Sequence, residues 1–252
     1  MSMKVYLGMK VDELRTRFRN RSDKKERIDT ALPLDLRMGS RIRLSEAPFL
    51  LMGDQTPLQF PGDESLVGAF SESEMAGMRT FRLYLKDRED ESQESMLLVL
   101  MGEDRQSVDE IYLFREYIEL PLYYVGLNEV PDNGDEVNAV DFWIGESEGI
   151  LGMPMFHTPD ELSYERLWEP ELDAQIPPLK MTEKVNLDPY GETVMEVEHL
   201  GTMLYARSFE GIGIDCDEYL LPTVEKDDEG FRVRVWVGIP LGESDLILPD
   251  AL

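Results

Sequence analysis

The sequence predicts a β-rich α+β protein, mainly antiparallel sheet, with a basic N-terminal helical segment. Short apolar segments recur from residue 40 onward at the spacing of a meander, and polar connections separate them. The densest apolar and aromatic run, from Val140 to Phe156, is broken only at Gly145-Glu146-Ser147-Glu148-Gly149. It therefore reads as two buried strands joined by a Gly-flanked turn. Residues 9–29 differ from both, because their apolar positions fall at helical spacing among Arg and Lys.

Taken in order, Val11, Leu14 and Phe18 lie on one helical stripe, with Ile28 further along it, surrounded by Arg15, Arg17, Arg19 and Arg21. A stripe this narrow makes a marginal helix on its own, and Pro33 ends the segment by disfavouring the helical region at Leu32. The chain thus divides into a basic segment over 1–29 and a β-rich globular region over 30–252. Within that region Ser40-Arg41-Ile42-Arg43-Leu44 alternates as a half-buried strand, and Asp54 to Asp63 is a loop bearing Pro and Gly. Strands are expected at Leu66–Phe70, Thr80–Leu85, Met96–Met101 and Val108–Phe114, linked by Ser71–Met78, Lys86–Ser95 and Gly102–Ser107.

Ser107-Val108-Asp109-Glu110 also matches a capping box, with Ile111, Phe114 and Ile118 at helical spacing. The preponderance of Val, Ile, Tyr and Phe, together with Pro121, favours a strand. Pro159 to Trp168 reads as a short helix or an extended edge. Pro170, Pro177, Pro178 and Pro189 mark a long connection, the best place for a sub-division near 170–190. Four more strands follow, at Thr193–His199, Thr202–Phe209, Glu218–Leu221 and Phe231–Ile239. The core is expected to contain Phe142, Trp143, Ile144, Ile150, Leu151 and Phe156. A faint echo between 116–147 and 218–244, pairing Trp143-Ile144-Gly145 with Trp236-Val237-Gly238, hints at two related β units.

Charge is distributed unevenly. Residues 1–43 hold twelve Lys/Arg against six Asp/Glu, a net of +6, and the remainder holds 13 basic and 46 acidic residues, a net of −33 within a total of −27. Nucleic acid and anionic membranes would be repelled by such a body, so contact with either must use the basic head. The single cysteine, Cys216, fits a reducing compartment and reads as a small apolar residue. No apolar run approaches the ~20 residues that span a bilayer, and the N-terminus lacks a signal-peptide pattern, so a cytoplasmic location is expected.

Motifs that carry chemistry are weak. Gly145 to Gly149 matches G-x-S-x-G, but Gly152, Pro154 and Pro159 occupy the space where the helix after a nucleophile elbow belongs. The expectation is that Ser147 lies in a hairpin turn and that no residue is catalytic. His157 and His199 lack zinc-ligand spacing, and His199 alternates with Met195 and Val197 as part of a packed strand face. Asp215, Asp217 and Glu218, and Asp227, Asp228 and Glu229, crowd together without the order of a calcium loop. No metal, cofactor or phosphate-binding set is therefore assigned.

Leu32 to Ser40, Glu110 to Arg115, Phe142 to Gly145, Gly149 to Phe156 and Tyr164 to Trp168 together resemble the YjfK-like family of uncharacterised bacterial proteins, over about residues 30–250. The resemblance supplies no catalytic residues. It implies a protein of unknown function, commonly encoded near a membrane-remodelling protein like phage-shock protein A and an ATP-grasp amide ligase, a neighbourhood that points to the inner face of the cytoplasmic membrane. The first expectation is therefore a non-enzymatic accessory protein of the bacterial cytoplasm that binds other proteins near the inner membrane. Val11, Leu14, Arg15, Phe18, Arg19 and Arg21 are then the expected contacts with a protein partner or an anionic membrane, and nucleic acid is not expected. The competing expectation is an enzyme or small-molecule binder that uses the acidic clusters for a polyamine or a divalent cation.

Overall fold

A strand that is apolar at every position must be covered on both faces, and Ser95–Met101 is such a strand from its second residue on, buried along its whole length. The computed structural model of the chain shows what covers it. It describes residues 25–62, 64–75, 77–87, 94–120, 136–145, 149–227 and 230–248. The strands are β1 (Arg41–Leu44), β2 (Ser65–Met75), β3 (Met78–Asp87), β4 (Ser95–Met101), β5 (Val108–Leu120), β6 (Met155–His157) and β7 (Ser163–Arg166). They continue with β8 (Leu179–Asn186), β9 (Val194–Thr202), β10 (Tyr205–Glu210), β11 (Asp215–Asp227), β12 (Gly230–Pro240) and β13 (Leu246–Ile247). Among the described residues two α-helices, α1 (Ala47–Met52) and α2 (Glu136–Ile144), accompany them.

Eight of these strands close on themselves in the order β12-β5-β4-β3-β2-β8-β9-β11, and β11 pairs back to β12, every pair antiparallel. An eight-stranded ring has an interior just wide enough for side chains to fill. Residues of one parity from all eight strands meet there: Ala69, Tyr84, Leu98, Phe114, Val185, Val197, Leu221 and Trp236 belong to one buried cluster. On the opposite parity Leu83, Leu97, Leu113, Val235 and Val237 face outward into a larger cluster with Leu36, Phe49, Met52, Trp143 and Leu151. The outer wall is buried because the 32–60 segment and α2 lie against it. Strand β11 serves two sheets, pairing β9 through Thr223–Lys226 and β10 through Asp215–Leu220. From β10 the sheet flares away through β7 to β6.

Several expectations are corrected here. Val140 to Ile144 is the end of α2 and not a strand, since Val140, Trp143 and Ile144 recur at helical spacing and a short apolar run satisfies either period. The chain then folds back on the helix end, with the Ile150 and Leu151 amides donating to the Phe142 and Trp143 carbonyls at 3.1 and 2.9 Å. The echo with Trp236-Val237-Gly238 is therefore one of sequence only, because that stretch is strand. The expected core residues do pack together: Trp143, Leu151 and Phe156 are buried, with Phe142, Ile144 and Ile150 half-buried against them.

The long connection contains β8, which stands in the ring between β2 and β9. Strand β2 runs through the expected turn to Met75, and 108–120 is strand and not helix. Of the basic head, residues 1–24 lie outside the described residues, as do Val11, Leu14, Arg15, Phe18, Arg19 and Arg21 within them. From Lys25 the backbone is irregular apart from a 3-10 turn at Asp29–Ala31, and it is tied to the barrel. The Ile28 amide donates to the Pro189 carbonyl at 2.9 Å, and buried Asp29 accepts from Arg27 and from the Met38 amide.

The irregular chain between β7 and β8 is organised by Arg166, which is 2% exposed. Its guanidinium donates to the carbonyls of Trp168, Glu169, Leu172 and Ala174 at 2.7–2.9 Å, and to that of Gly152. Five carbonyl dipoles thus replace the water the charge has lost. At Gly152 the backbone has φ +92° and a Cβ would overlap the Ile176 carbonyl oxygen. We expect Gly152→Ala to destabilise the fold by more than the about 1–3 kcal/mol that a left-handed non-glycine residue costs, read as a lower urea midpoint with an unchanged slope. An unchanged midpoint would contradict this packing.

Candidate functional site

The barrel lumen holds a connected set of buried titratable groups. Its centre is Glu183 on β8, buried at a position that alternates with exposed Lys180, Thr182 and Lys184, and so it points inward. Its carboxylate accepts from Arg82 at 3.0 Å, from the Tyr84 hydroxyl at 2.6 Å and from the Ser71 hydroxyl. His199 Nε2 stands 2.7 Å from the same carboxylate, and His199 Nδ1 is 3.7 Å from Glu225. The hydrogen bond to Glu225 comes from the Thr223 hydroxyl at 3.0 Å.

A second centre is Arg234 on β12. It pairs with Glu94, with Glu116 at 3.1 Å and, at 4.0 Å, with Glu225, while its guanidinium lies 4.3 Å from the centre of the Trp236 ring. Arg232 closes this end on Glu225 and Asp227.

Burial opposes the charge on Glu183, but Arg82 and then His199 and Ser71 outweigh it and hold the carboxyl well below the usual carboxylate range. Burial likewise works against the Arg82 and Arg234 charges, and the surrounding carboxylates raise both above the ordinary guanidinium value. Burial and the Glu183 charge together push the Tyr84 hydroxyl far up, so it stays a donor. Glu183, His199 and Glu225 could in type serve as acid and base, but general catalysis needs a substrate atom within about 2.6–3.2 Å of them. Arg82, Tyr84, Ser71 and Thr223 occupy those positions, and Glu183, His199 and Glu225 are at most 4% exposed.

Elsewhere in the barrel Met75, Leu98, Leu100, Tyr112 and Phe114 border an apolar pocket of about 40 Å³, covered by Trp168 and Leu204. Such a space suits one or two waters by volume, yet its lining offers them few partners. Outside the ring, buried Glu218 accepts from the Tyr164 hydroxyl at 2.6 Å, from Arg207 at 2.8 Å and from the Thr56 hydroxyl. That cluster clamps residues 55–58 to β11.

The residues singled out from sequence fall in different places. Gly145 directly follows α2, so the helix stands where a nucleophile elbow needs a strand, and Ser147 lies outside the described residues. His157 is exposed with Nδ1 2.8 Å from the Ser163 hydroxyl, and Cys216 is half-buried. Asp217 accepts from the Ser208 hydroxyl at 2.6 Å while its neighbour Glu218 points into the outer cluster, so the three acids at 215–218 do not converge. Asp228 and Glu229 lie outside the described residues. No group of three or more His, Cys, Asp or Glu among the described residues is placed to hold a metal ion. Sequence reasoning missed Arg82, Glu183, Glu225 and Arg234. The available signal was a charged residue at one position of an otherwise apolar alternation.

The chain belongs to the family described as Protein of unknown function (DUF2491), whose family model matches residues 17–247. No curated protein and no solved structure matches it.

Removing the Glu183 charge leaves Arg82 buried without its main partner, and breaking a buried pair in this way costs about 3–5 kcal/mol. Glu183→Gln should therefore lose that much stability at pH 7 in urea denaturation. The pH dependence has a definite sign. Because the folded carboxyl is held below its unfolded value, its contribution is complete above the ordinary carboxylate range, about pH 4.3, and is lost as pH falls further. The wild type should lose stability between about pH 4.3 and pH 2 more steeply than Glu183→Gln. Parallel acid limbs would show that Glu183 is not the charge responsible.

Proposed function

We propose that this chain is a non-enzymatic interaction protein, a rigid barrel that works through its outer surface. The observation that carries this reading is the filled lumen. Barrels that bind small molecules keep interior space for them. Here Arg82, Glu183, His199, Glu225 and Arg234 pair with one another within the lumen, and the aromatic and aliphatic cluster occupies the rest apart from the pocket of about 40 Å³.

The resemblance to the YjfK-like family extends the proposal to a cytoplasmic protein working beside the inner membrane, in company with a membrane-remodelling protein or an amide ligase. No helix of the described residues is long and apolar enough to cross a membrane. The basic segment with Val11, Leu14, Arg15, Phe18, Arg19 and Arg21 is the proposed contact with an anionic leaflet, each cation near it contributing about 1 kcal/mol. Because Ile28 and Asp29 are tied into the barrel, a truncation that tests this segment should start at Lys25. The full chain is expected to sediment with anionic liposomes at low salt, to be released at high salt, and to lose binding in the truncation. Equal sedimentation of both would remove the membrane contact.

The competing reading, a binder of polyamines or divalent cations, draws on the net charge of −27. It predicts that a ligand at 100 times its dissociation constant adds about 2.7 kcal/mol, a rise of several degrees in Tm for a chain of this size. We expect spermidine, Mg²⁺ and Ca²⁺ to give no rise beyond that of NaCl at matched ionic strength. A specific rise with any of them would overturn the interaction reading in favour of a binder.

A further inference from the structure

Four large aliphatic side chains stand exposed where α1 meets the turn between β10 and β11. Leu50 is 60% exposed, Leu51 39%, Ile212 68% and Ile214 50%. They come from distant parts of the chain, yet the two elements are fastened together. The Ile212 amide donates to the Leu51 carbonyl at 2.7 Å, the Gly211 amide to the Ile214 carbonyl at 2.8 Å, and the Gln55 side chain to the Glu210 carbonyl at 2.9 Å. A Cβ on Gly211 would overlap the Leu51 carbonyl oxygen and come within 2.7 Å of Cys216 Sγ, so the approach requires glycine there. Beneath, Phe49 and Met52 are buried in the outer cluster. The aliphatic side chains are thus held outward by a packed platform.

The surroundings of these side chains are acidic. Glu46 lies one helical turn before Leu50, Asp54 follows Gly53, and Glu210 and Asp215 pair across the two strands that carry the turn. All four acids are exposed. Arg207, which reaches the same loop, is committed to Glu218 and to the Gln55 carbonyl.

We infer that this apolar surface with its acidic rim is the docking site for a basic amphipathic segment of a partner protein. The inference rests on the interaction reading above and locates it. An anionic bilayer is excluded by the sign of the rim. A symmetric contact with a second copy would bring two acidic rims together. The apolar surface consists of four side chains, a small area beside the roughly 800 Å² and about 20–30 residues per partner of a standard interface. That area fits a single segment whose Leu or Phe residues sit on the aliphatic centre and whose Lys or Arg residues reach the rim.

The test uses the full chain and two fluorescent synthetic helices of the same amphipathic pattern, one of Leu and Lys and one of Leu and Glu. The wild type is expected to bind the Leu/Lys helix. Leu50→Ser with Ile212→Ser should weaken it at least tenfold, and Glu210→Lys with Asp215→Lys should shift preference toward the Leu/Glu helix, all with unchanged circular dichroism and Tm. Met153→Ser with Leu167→Ser, on exposed positions flanking the β6–β7 hairpin, should change nothing. If that control pair abolishes binding while the Leu50 and Ile212 pair does not, the interaction reading stands and this assignment falls. Failure of the wild type to bind, equal binding by all variants, loss of a homodimer on Leu50→Ser with Ile212→Ser, or wild-type sedimentation with anionic vesicles through this patch would each overturn the assignment.

Discussion

Glu183 carries a charge into the middle of a closed ring of strands, and the ring is self-consistent only because its own side chains replace the water that charge has lost. Arg82 and Tyr84 come from β3, Ser71 from β2 and His199 from β9, so one carboxylate on β8 ties four strands at one level. A slip of one residue in any of them would turn its partner to the outer wall and strand the charge. Arg234 does the same for β5, β11 and the approach to β4, through Glu116, Glu225 and Glu94. Buried pairs of this kind add little net stability over apolar packing, because desolvation offsets most of the attraction. Here they fix register, which a barrel needs more than a flat sheet does.

The outer wall follows from the same closure. Once the lumen takes one parity of each strand, the other parity of β3, β4, β5 and β12 is still apolar and has to be covered. The 32–60 segment and α2 do this with Leu36, Phe49, Met52 and Trp143. The irregular chain that this layer requires is held by arginines directed at carbonyls and carboxylates: Arg166 for residues 168–174, Arg207 for Gln55 and Glu218. Strands β8 and β9 differ, since Lys180, Thr182 and Lys184, and Glu196 and Glu198, leave their outer face in water.

Much of the sheet is legible in the sequence because turn residues and alternation are local signals. Ser95–Met101 and Phe231–Ile239 announce themselves by composition alone. What is not legible is instructive. Strand β8 reads as connection because Glu183, the residue at the centre of the lumen, interrupts the apolar alternation of Leu179, Met181 and Val185. Helix α2 reads as strand because Val140 to Ile144 satisfies both periods and Gly145 ends either. Ring closure depends on pairings far apart in sequence, β2 with β8 and β5 with β12, which no local pattern records. In β12 the alternation points to the valines as the inward face. The inward residues are instead Arg234 and Trp236, buried by partners on other strands.

On the proposed interaction reading function lies on the surface, and the charge there sets terms for it. Among the described residues most acids are not buried, so electrostatic steering by that surface favours cationic partners and suppresses anionic ones. Specificity must then come from places where apolar side chains are exposed despite that charge, and where the backbone carrying them is already fixed. Leu50, Leu51, Ile212 and Ile214 meet both conditions. Their loops are tied by Gln55 to Glu210, Arg207 to Gln55 and Ile212 to Leu51, so a partner that docks there would not have to order them first. Ordering of loops and side chains is one of the main costs of association, and a platform that has met it during folding leaves more of the contact energy for binding.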